Sequence, residues 1–256
     1  MQHKFKSAAL AASLIMVSGL SLAEIRLGTD TAPYPPFSQI NAAGELVGWE
    51  IEIGNALCEI MKEECVWTPI AWDGIIPALV AKKIDAIVGS MSITEERMKT
   101  ISFSDKYYNT PAAFVAPKTS DIDGSPESVK GKILGVQVST THQNYTEATY
   151  ADMADSIKTY QAFDEHNQDL IAGRIDAVVG DSLAMAPFLE SAEGQAFEIK
   201  TTLSNEEIFG AGAGAGIRKE DNELREKFNA AIKKIRDNGT YAEISKKYFN
   251  FDIYGE

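Results

Sequence analysis

Histidine and cysteine are scarce in this 256-residue chain, three of the one and two of the other. So few imidazole and thiolate groups exclude a cysteine/histidine metal cluster, and no base stands near either cysteine to activate it as a nucleophile. Positive charge is also short, with 24 Lys and Arg against 37 Asp and Glu, a net charge of −13 that argues against nucleic acid as a partner. Long apolar runs are missing after the first 23 residues, where nothing approaches the roughly 18 needed to cross a membrane. A phosphate-cradling glycine loop is missing too. GAGAGAGIRK, from Gly210, does not satisfy G-x-G-x-x-G and no strand-to-helix context follows it. It reads instead as a close-packed return strand, its small residues letting backbones approach.

What is present begins with a leader. Lys4 and Lys6, an apolar stretch from Ala8 to Leu20, and Ser21-Leu22-Ala23 spell a secretory signal peptide over residues 1–23, with a mature chain starting near Glu24. No cysteine stands at the cleavage site, so no lipid anchor is expected. Removing the leader takes away two lysines and no acids, which makes the remainder more negative. In an exported chain, Cys58 and Cys65 read as a disulfide in preference to a metal or redox pair. The expected location is the periplasm. Roughly 230 residues exceed the usual size of a single core, so two lobes are expected.

An internal echo supports two lobes. LVAKKIDAIVGS (79–90) and LIAGRIDAVVGD (170–181) share seven of twelve positions. Each has an apolar helical pattern before it, then a basic turn, then a run of Ile, Val and Ala, the pattern of a helix feeding a buried parallel strand. EIRLGTD (24–30) and KILGVQVST (132–140) each read as a first strand followed by a loop and a helix, and the stretch from Asp221 to Phe249, broken at Asn238-Gly239, reads as two helices. In open α/β sheets, ligands sit beyond the carboxyl ends of the strands. Ser90 to Ser92 in one lobe and Asp181 in the other would then line one cleft.

GSMSITEERMKTISFS (89–104) holds an oddity. Thr94 reads as a helix N-cap and Glu95 and Glu96 suit the positive end of a helix dipole, yet Arg97 puts a cation where the dipole disfavours one. Taken with GTDTAPYPPFS, LVGWEIEIGNALC, AWDGIIPALVAKKIDAI, ISFSDKYY, AGRIDA and NGTYAEISKKYF, in that order along almost the whole chain from Ile25 to Gly255, it resembles the periplasmic solute-binding proteins of polar amino-acid ABC importers, in particular the lysine/arginine/ornithine- and histidine-binding group.

The resemblance implies an α/β, type II periplasmic binding protein fold with a ligand cleft between lobes joined by two hinge strands. Lobe 1 would comprise 24–111 plus 206–256 and lobe 2 would comprise 112–205, with crossings near YYNTPAAF and NEEIFGAG. It implies a monomer that binds a small amino acid or derivative, delivers it to a membrane permease, uses no cofactor or metal, and performs no catalysis. The alternatives are a dehydratase-like enzyme on the same fold and a sensory co-receptor.

The resemblance also assigns roles. Arg97 would fork onto the ligand α-carboxylate, helped by helix N–H groups, with Thr141 donating across the closed cleft. Asp181, with Ser90 and Ser92, would take the α-ammonium. Asp30 would meet a distal cation, and Tyr34 and Trp72 would sandwich the aliphatic stem. Each has a plainer reading: an arginine on solvent, helix caps at Asp181 and Thr141, a turn cap at Asp30, a core tryptophan. Met91 falls within the same motif. Gly89, Gln137 and His142 depart from the group's common Ser, Leu and Gln, which favours a longer ligand such as arginine or an opine-like conjugate; His142 could instead sit on an exposed loop. His166 reads as helix surface.

Overall fold

Alternation of β-branched runs with amphipathic stretches gives a chain of alternating strands and helices. The computed structural model describes residues 24–255, so the expected signal peptide lies outside the described residues. The chain opens with β1 (Ile25–Asp30), a short hairpin of β2 (Gln39–Ile40) and β3 (Leu46–Val47), α1 (Trp49–Met61) and β4 (Cys65–Ile70). Next come α2 (Ile75–Val80), β5 (Ala86–Ile87), the single turn α3 (Glu95–Met98) and β6 (Ser102–Tyr108). β7 (Ala112–Pro117), β8 (Ile133–Gln137), α4 (Thr141–Tyr150), β9 (Ser156–Tyr160), α5 (Phe163–Ile171), β10 (Ala177–Asp181), α6 (Ser182–Glu190) and β11 (Phe197–Leu203) follow. The chain closes with α7 (Glu206–Phe209), β12 (Ala213–Ile217), α8 (Asn222–Asp237) and α9 (Thr240–Ser245).

Two five-stranded sheets result, ordered β4-β1-β5-β12-β6 and β11-β7-β10-β8-β9. The chain leaves the first sheet after Tyr108, enters the second at Ala112, and returns to the first at Ala213. In each sheet three strands run parallel, β4, β1 and β5 in one and β9, β8 and β10 in the other, as crossover helices require. The glycine-rich segment is the return strand, antiparallel to both β5 and β6. A Cβ on Gly216 would come within 3.2 Å of Ile101 and 3.3 Å of Ile87, so any larger residue would push these neighbours back by a few tenths of an ångström.

The echo builds the same unit twice. Ile84 packs its Cδ1 onto Gly28 of β1, and Ile175 packs its own onto Gly135 of β8; a Cβ on either glycine would overlap that methyl. Asp85 accepts the Arg26 N–H at 3.1 Å and donates its own N–H to the Arg26 carbonyl at 2.8 Å. Asp176 repeats this with Ile133 at 2.8 and 2.7 Å. The Ile-Asp pair that the two echoes share thus ties each helix-to-strand return to its first strand.

The core of the first lobe lies between α1, α8 and the sheet, where Leu27, Ile53, Leu57, Phe228 and Ile235 are wholly buried. Trp49 anchors an aromatic group with Tyr107, Tyr108 and Tyr241, and its indole N–H reaches Ser245 Oγ at 3.0 Å. Cys58 and Cys65 form a disulfide between α1 and β4, with Cα atoms 6.2 Å apart. One expectation fails in the second lobe. His166 is not on the helix surface but fully buried, its ring edge-on to Phe163 at 4.7 Å, because α5 turns Phe163, His166, Asn167 and Leu170 onto the sheet.

Candidate functional site

The carboxyl ends of β1, β5, β8 and β10 face one cleft between the lobes. Of the twelve residues singled out in the sequence, ten line one cavity there: Asp30, Tyr34, Trp72, Gly89, Ser90, Ser92, Arg97, Gln137, Thr141 and His142. This cavity holds about 440 Å³ of empty space, part of it open to solvent. Asp181 lines an adjoining cavity that shares Tyr34, Ser90, Ser92, Thr141 and His142 with the first. Met91 is the exception. Its side chain is 1% exposed and packs in the core with Ile87 and Ile101, since the residue between two cleft-facing serines points the opposite way.

Arg97 stands where the first lobe meets the second. Its backbone N–H donates to the Thr94 hydroxyl at 3.2 Å, which makes Thr94 the expected cap. The guanidinium donates to the Ser92 carbonyl at 3.1 Å and, across the cleft, to the Ser139 carbonyl at 3.3 Å, and lies 5.6 Å from the Trp72 ring centre. Burial pulls its pKa down to about 10, so it is charged at neutral pH. Two of five N–H donors are thereby satisfied, which leaves a fork for an anion. The expected help from a helix dipole is small, because α3 is a single turn and the Arg97 N–H is already spent on Thr94.

Asp181 holds both of its sequence readings at once. As cap of α6, its Oδ1 accepts the Leu183 and Ala184 N–H groups at 2.8 and 3.1 Å, and its Oδ2 accepts the Thr110 hydroxyl. It is buried, which raises its pKa against the pull of those three donors. Capping uses one oxygen fully and leaves the other with lone pairs toward the cavity. Thr141 is different: Thr140, one residue earlier, caps α4 by accepting the Gln143 N–H at 3.0 Å, and this frees the buried Thr141 to line the cavities.

Asp30 is held by the Ala32 N–H at 3.1 Å and, from the other lobe, by the Gln137 amide at 3.2 Å. Burial raises its pKa, the hydrogen bonds opposing. Trp72 packs half-buried on the edge of the core around Ile75 and Leu79 and donates to the Ser139 carbonyl at 3.1 Å. Tyr34 stacks on Phe37 at 5.6 Å and meets Phe163 of the second lobe edge-on at 4.9 Å. His142 is half-buried on the cavity wall, not on an exposed loop. Burial and the neighbouring Arg97 hold its pKa down to about 4, so it is neutral at physiological pH.

Sequence reasoning missed Thr29, Ser38 and Thr140 on the cavity wall, and Ser139, Thr110, Tyr107 and Glu50 around it. Glu50 is fully buried under Ser90, accepting its N–H at 2.7 Å, its hydroxyl at 2.9 Å, and the Tyr107 hydroxyl. A signal existed, since position 50 shares a helix face with Gly54, Leu57 and Cys58, where periodicity calls for an apolar residue.

Comparison with known proteins supplies the rest. The family described as bacterial extracellular solute-binding proteins, family 3, matches residues 25–251. The L-arginine-binding protein of Pseudomonas aeruginosa (strain PAO1) is 44% identical over 233 residues, covering 90% of each chain. The histidine-binding periplasmic protein of Escherichia coli (strain K12) is 43% identical, covering 90% of this chain and 89% of that one. Among solved structures, an ancestral arginine-binding protein bound to arginine superimposes with a TM-score of 0.82 at 34% identity, covering 89% of this chain and 98% of that one. The two sheet-based lobes are therefore those of the type II periplasmic binding protein fold.

Proposed function

The chain belongs to family 3 of the bacterial extracellular solute-binding proteins, and we propose that it is the periplasmic receptor of an ABC importer, capturing a cationic amino acid (arginine, ornithine, lysine or histidine) or an arginine-derived compound such as an opine. The observation that carries the reading is a pair of opposite charges in one cleft without protein counter-ions. Among the described residues, Arg97 has only carbonyl and hydroxyl oxygens as partners, and Asp181 only N–H and O–H donors. A buried charge needs a partner, and an amino-acid zwitterion supplies one for each.

On this reading the α-carboxylate takes the free fork of Arg97 with the hydroxyl of Thr141. The α-ammonium takes Asp181, Ser90 and Ser92. The side chain passes between Tyr34 and Trp72 toward Asp30, a cation-π and ion-pair environment suited to arginine, lysine or ornithine. Binding couples to hinge closure because groups from both lobes complete the site; the bonds from Trp72 and Arg97 to Ser139 and from Gln137 to Asp30 are the closed state's own latch. The closed receptor then docks on the importer's permease. Micromolar affinity needs about −8 kcal/mol, within reach of one forked carboxylate pair, an ammonium site and aromatic burial.

A thermal-shift screen of these compounds followed by calorimetry tests the proposal. Arg97→Ala is expected to weaken every α-amino acid by about 100-fold or more while the melting curve stays cooperative. Unchanged affinity in that variant overturns the site. Turnover of the bound compound by purified protein would favour an enzyme instead.

A further inference from the structure

Glu50 presents a problem that the binding reading does not absorb. It is a wholly buried carboxyl with no cation in contact among the described residues, one serine away from the cleft. Its Oε1 accepts the Ser90 N–H at 2.7 Å and the Tyr107 hydroxyl, and its Oε2 faces the Ser90 hydroxyl at 2.9 Å. Ser90 itself sits at φ +58°, a left-handed conformation that a serine adopts only when its surroundings hold it there.

The polarity of these bonds is fixed by elementary chemistry. An ionised carboxylate can only accept, and a serine hydroxyl has one hydrogen and two lone pairs. With that hydrogen committed to Glu50, Ser90 has only lone pairs left for the cleft. The neighbouring Asp181 is likewise all acceptor, since the Thr110 hydroxyl and two backbone N–H groups donate to it. On the wall that they share, Ser90 and Asp181 thus present lone pairs only, beside the hydroxyls of Tyr34, Ser92 and Thr141, which can turn to accept or donate. An ammonium brings three donors and no lone pair, so it satisfies such a wall. A hydroxyl brings one donor, and its own lone pairs then face the wall's lone pairs.

We propose that Glu50 is a positioning residue for the ammonium end of the ligand: by taking both hydrogens of Ser90 it makes that serine an acceptor only, and so sets the cleft's preference for an α-ammonium over an α-hydroxyl. This rests on the binding reading above for where the ammonium lies. Three donors, the Ser90 N–H and hydroxyl and the Tyr107 hydroxyl, converge on the Glu50 oxygens and oppose the upward pull of burial on its pKa.

The test is calorimetry at neutral pH with L-arginine and its 2-hydroxy analogue on wild type, Glu50→Gln, Ser90→Ala and the double variant, with thermal melts run alongside. In Glu50→Gln the new amide N–H₂ donates to Ser90 and turns the serine's hydrogen toward the ligand. The expected result is an amino-to-hydroxy affinity ratio about tenfold lower than wild type. A merely structural role would lower both affinities, or the melting temperature, and leave the ratio alone. Ser90→Ala should collapse the ratio similarly, and Glu50→Gln should add nothing in that background. An unchanged ratio in Glu50→Gln, or a further drop when Ser90 is already alanine, overturns the inference. If Glu50→Gln does not fold, Ser90→Ala decides: a wild-type ratio there overturns it equally. Wild type binding neither L-arginine nor any other α-amino acid would overturn the binding reading itself.

Discussion

Lobe 1 and lobe 2 repeat one packing unit and then part company at its end. Up to Val88 and Val179 the two echoes do the same things: an isoleucine over a glycine, an aspartate tied to the first strand, a buried strand parallel to it. Two residues later lobe 1 has Ser90 in a left-handed turn braced by a buried acid, and lobe 2 has Asp181 capping a helix. The interior of the unit is set by packing, which admits few solutions. Its carboxyl end faces the cleft, and there the lobes carry different chemistry.

Asp85 and Asp176 sharpen this comparison, for they share a backbone task but not their surroundings. Asp85 takes a two-pronged bond from Arg26 at 2.8 and 2.9 Å and a third contact from Arg218 at 3.1 Å, whose side chain is only 10% exposed. Burial pushes the Asp85 pKa up, but the two guanidinium partners outweigh it and the net shift is down. Asp176 has Lys132 at 3.7 Å and is 38% exposed. Asp85→Asn is therefore expected to cost about 2 kcal/mol in urea unfolding, and Asp176→Asn about 1 kcal/mol or less. The first change removes the charge that Arg26 and Arg218 share and leaves Arg218 with Asp221 at 2.6 Å as its one carboxylate partner among the described residues. Equal costs would mean that the lobes are more alike than their charges suggest.

A smaller effect should separate the lobes by pH. His142 and His166, the histidines among the described residues, both lie in lobe 2, with pKa values held down to about 4 and about 3 by burial. Unfolded histidine titrates near 6.5, so below that pH the unfolded lobe takes up protons that the folded lobe refuses. Stability from these residues is complete above pH 6.5 and falls as pH drops toward 3, by at most about 1.4 kcal/mol per pH unit for each. Glu50 in lobe 1 has the opposite sign: its raised pKa means the folded form gains protons more readily as pH falls. Hydrogen exchange at pH 5 against pH 7 should show lobe 2 loosening first, and His166→Gln should reduce that loss. Uniform loosening would break the comparison.

Much of this was legible in the sequence because it is local. The echo, both first strands, the glycine-rich return strand and the paired C-terminal helices follow from periodicity and turn residues within about twenty positions. The strand-end rule put Ser90 to Ser92 and Asp181 on a common cleft, while Asp30 and Gln137 entered only through the family resemblance. What stayed hidden depends on partners far apart. Glu50 meets Ser90 and Tyr107 at separations of 40 and 57 residues, and the Ser139 carbonyl takes its side-chain partners, Trp72 and Arg97, from the other lobe at separations of 67 and 42. His166 was misread because its polar ring sits at a position that helix periodicity alone assigns to either face, and only the aromatic pair Tyr160 and Phe163 shows which one is covered.

The last difference between the lobes concerns what each acid recognises. On the proposed binding reading Asp181 meets the ammonium that every α-amino acid shares, so its loss should weaken all of them alike. Asp30 is held by Ala32 and Gln137, and on the same reading it lies at the far end, where only ligands with a distal cation would gain from its charge. Burial and desolvation offset most of what that ion pair contributes, so its effect should be selective and modest. Asp30→Asn keeps the shape and the turn bond to Ala32 while removing the charge, and is expected to weaken arginine and lysine by about 5- to 10-fold, about 1 kcal/mol, with glutamine changing less than about twofold. Calorimetry across those three ligands decides it. Equal losses for the neutral and cationic ligands would return Asp30 to the simpler role of a turn cap and leave the choice of side chain to Tyr34, Trp72 and the space beside Gly89.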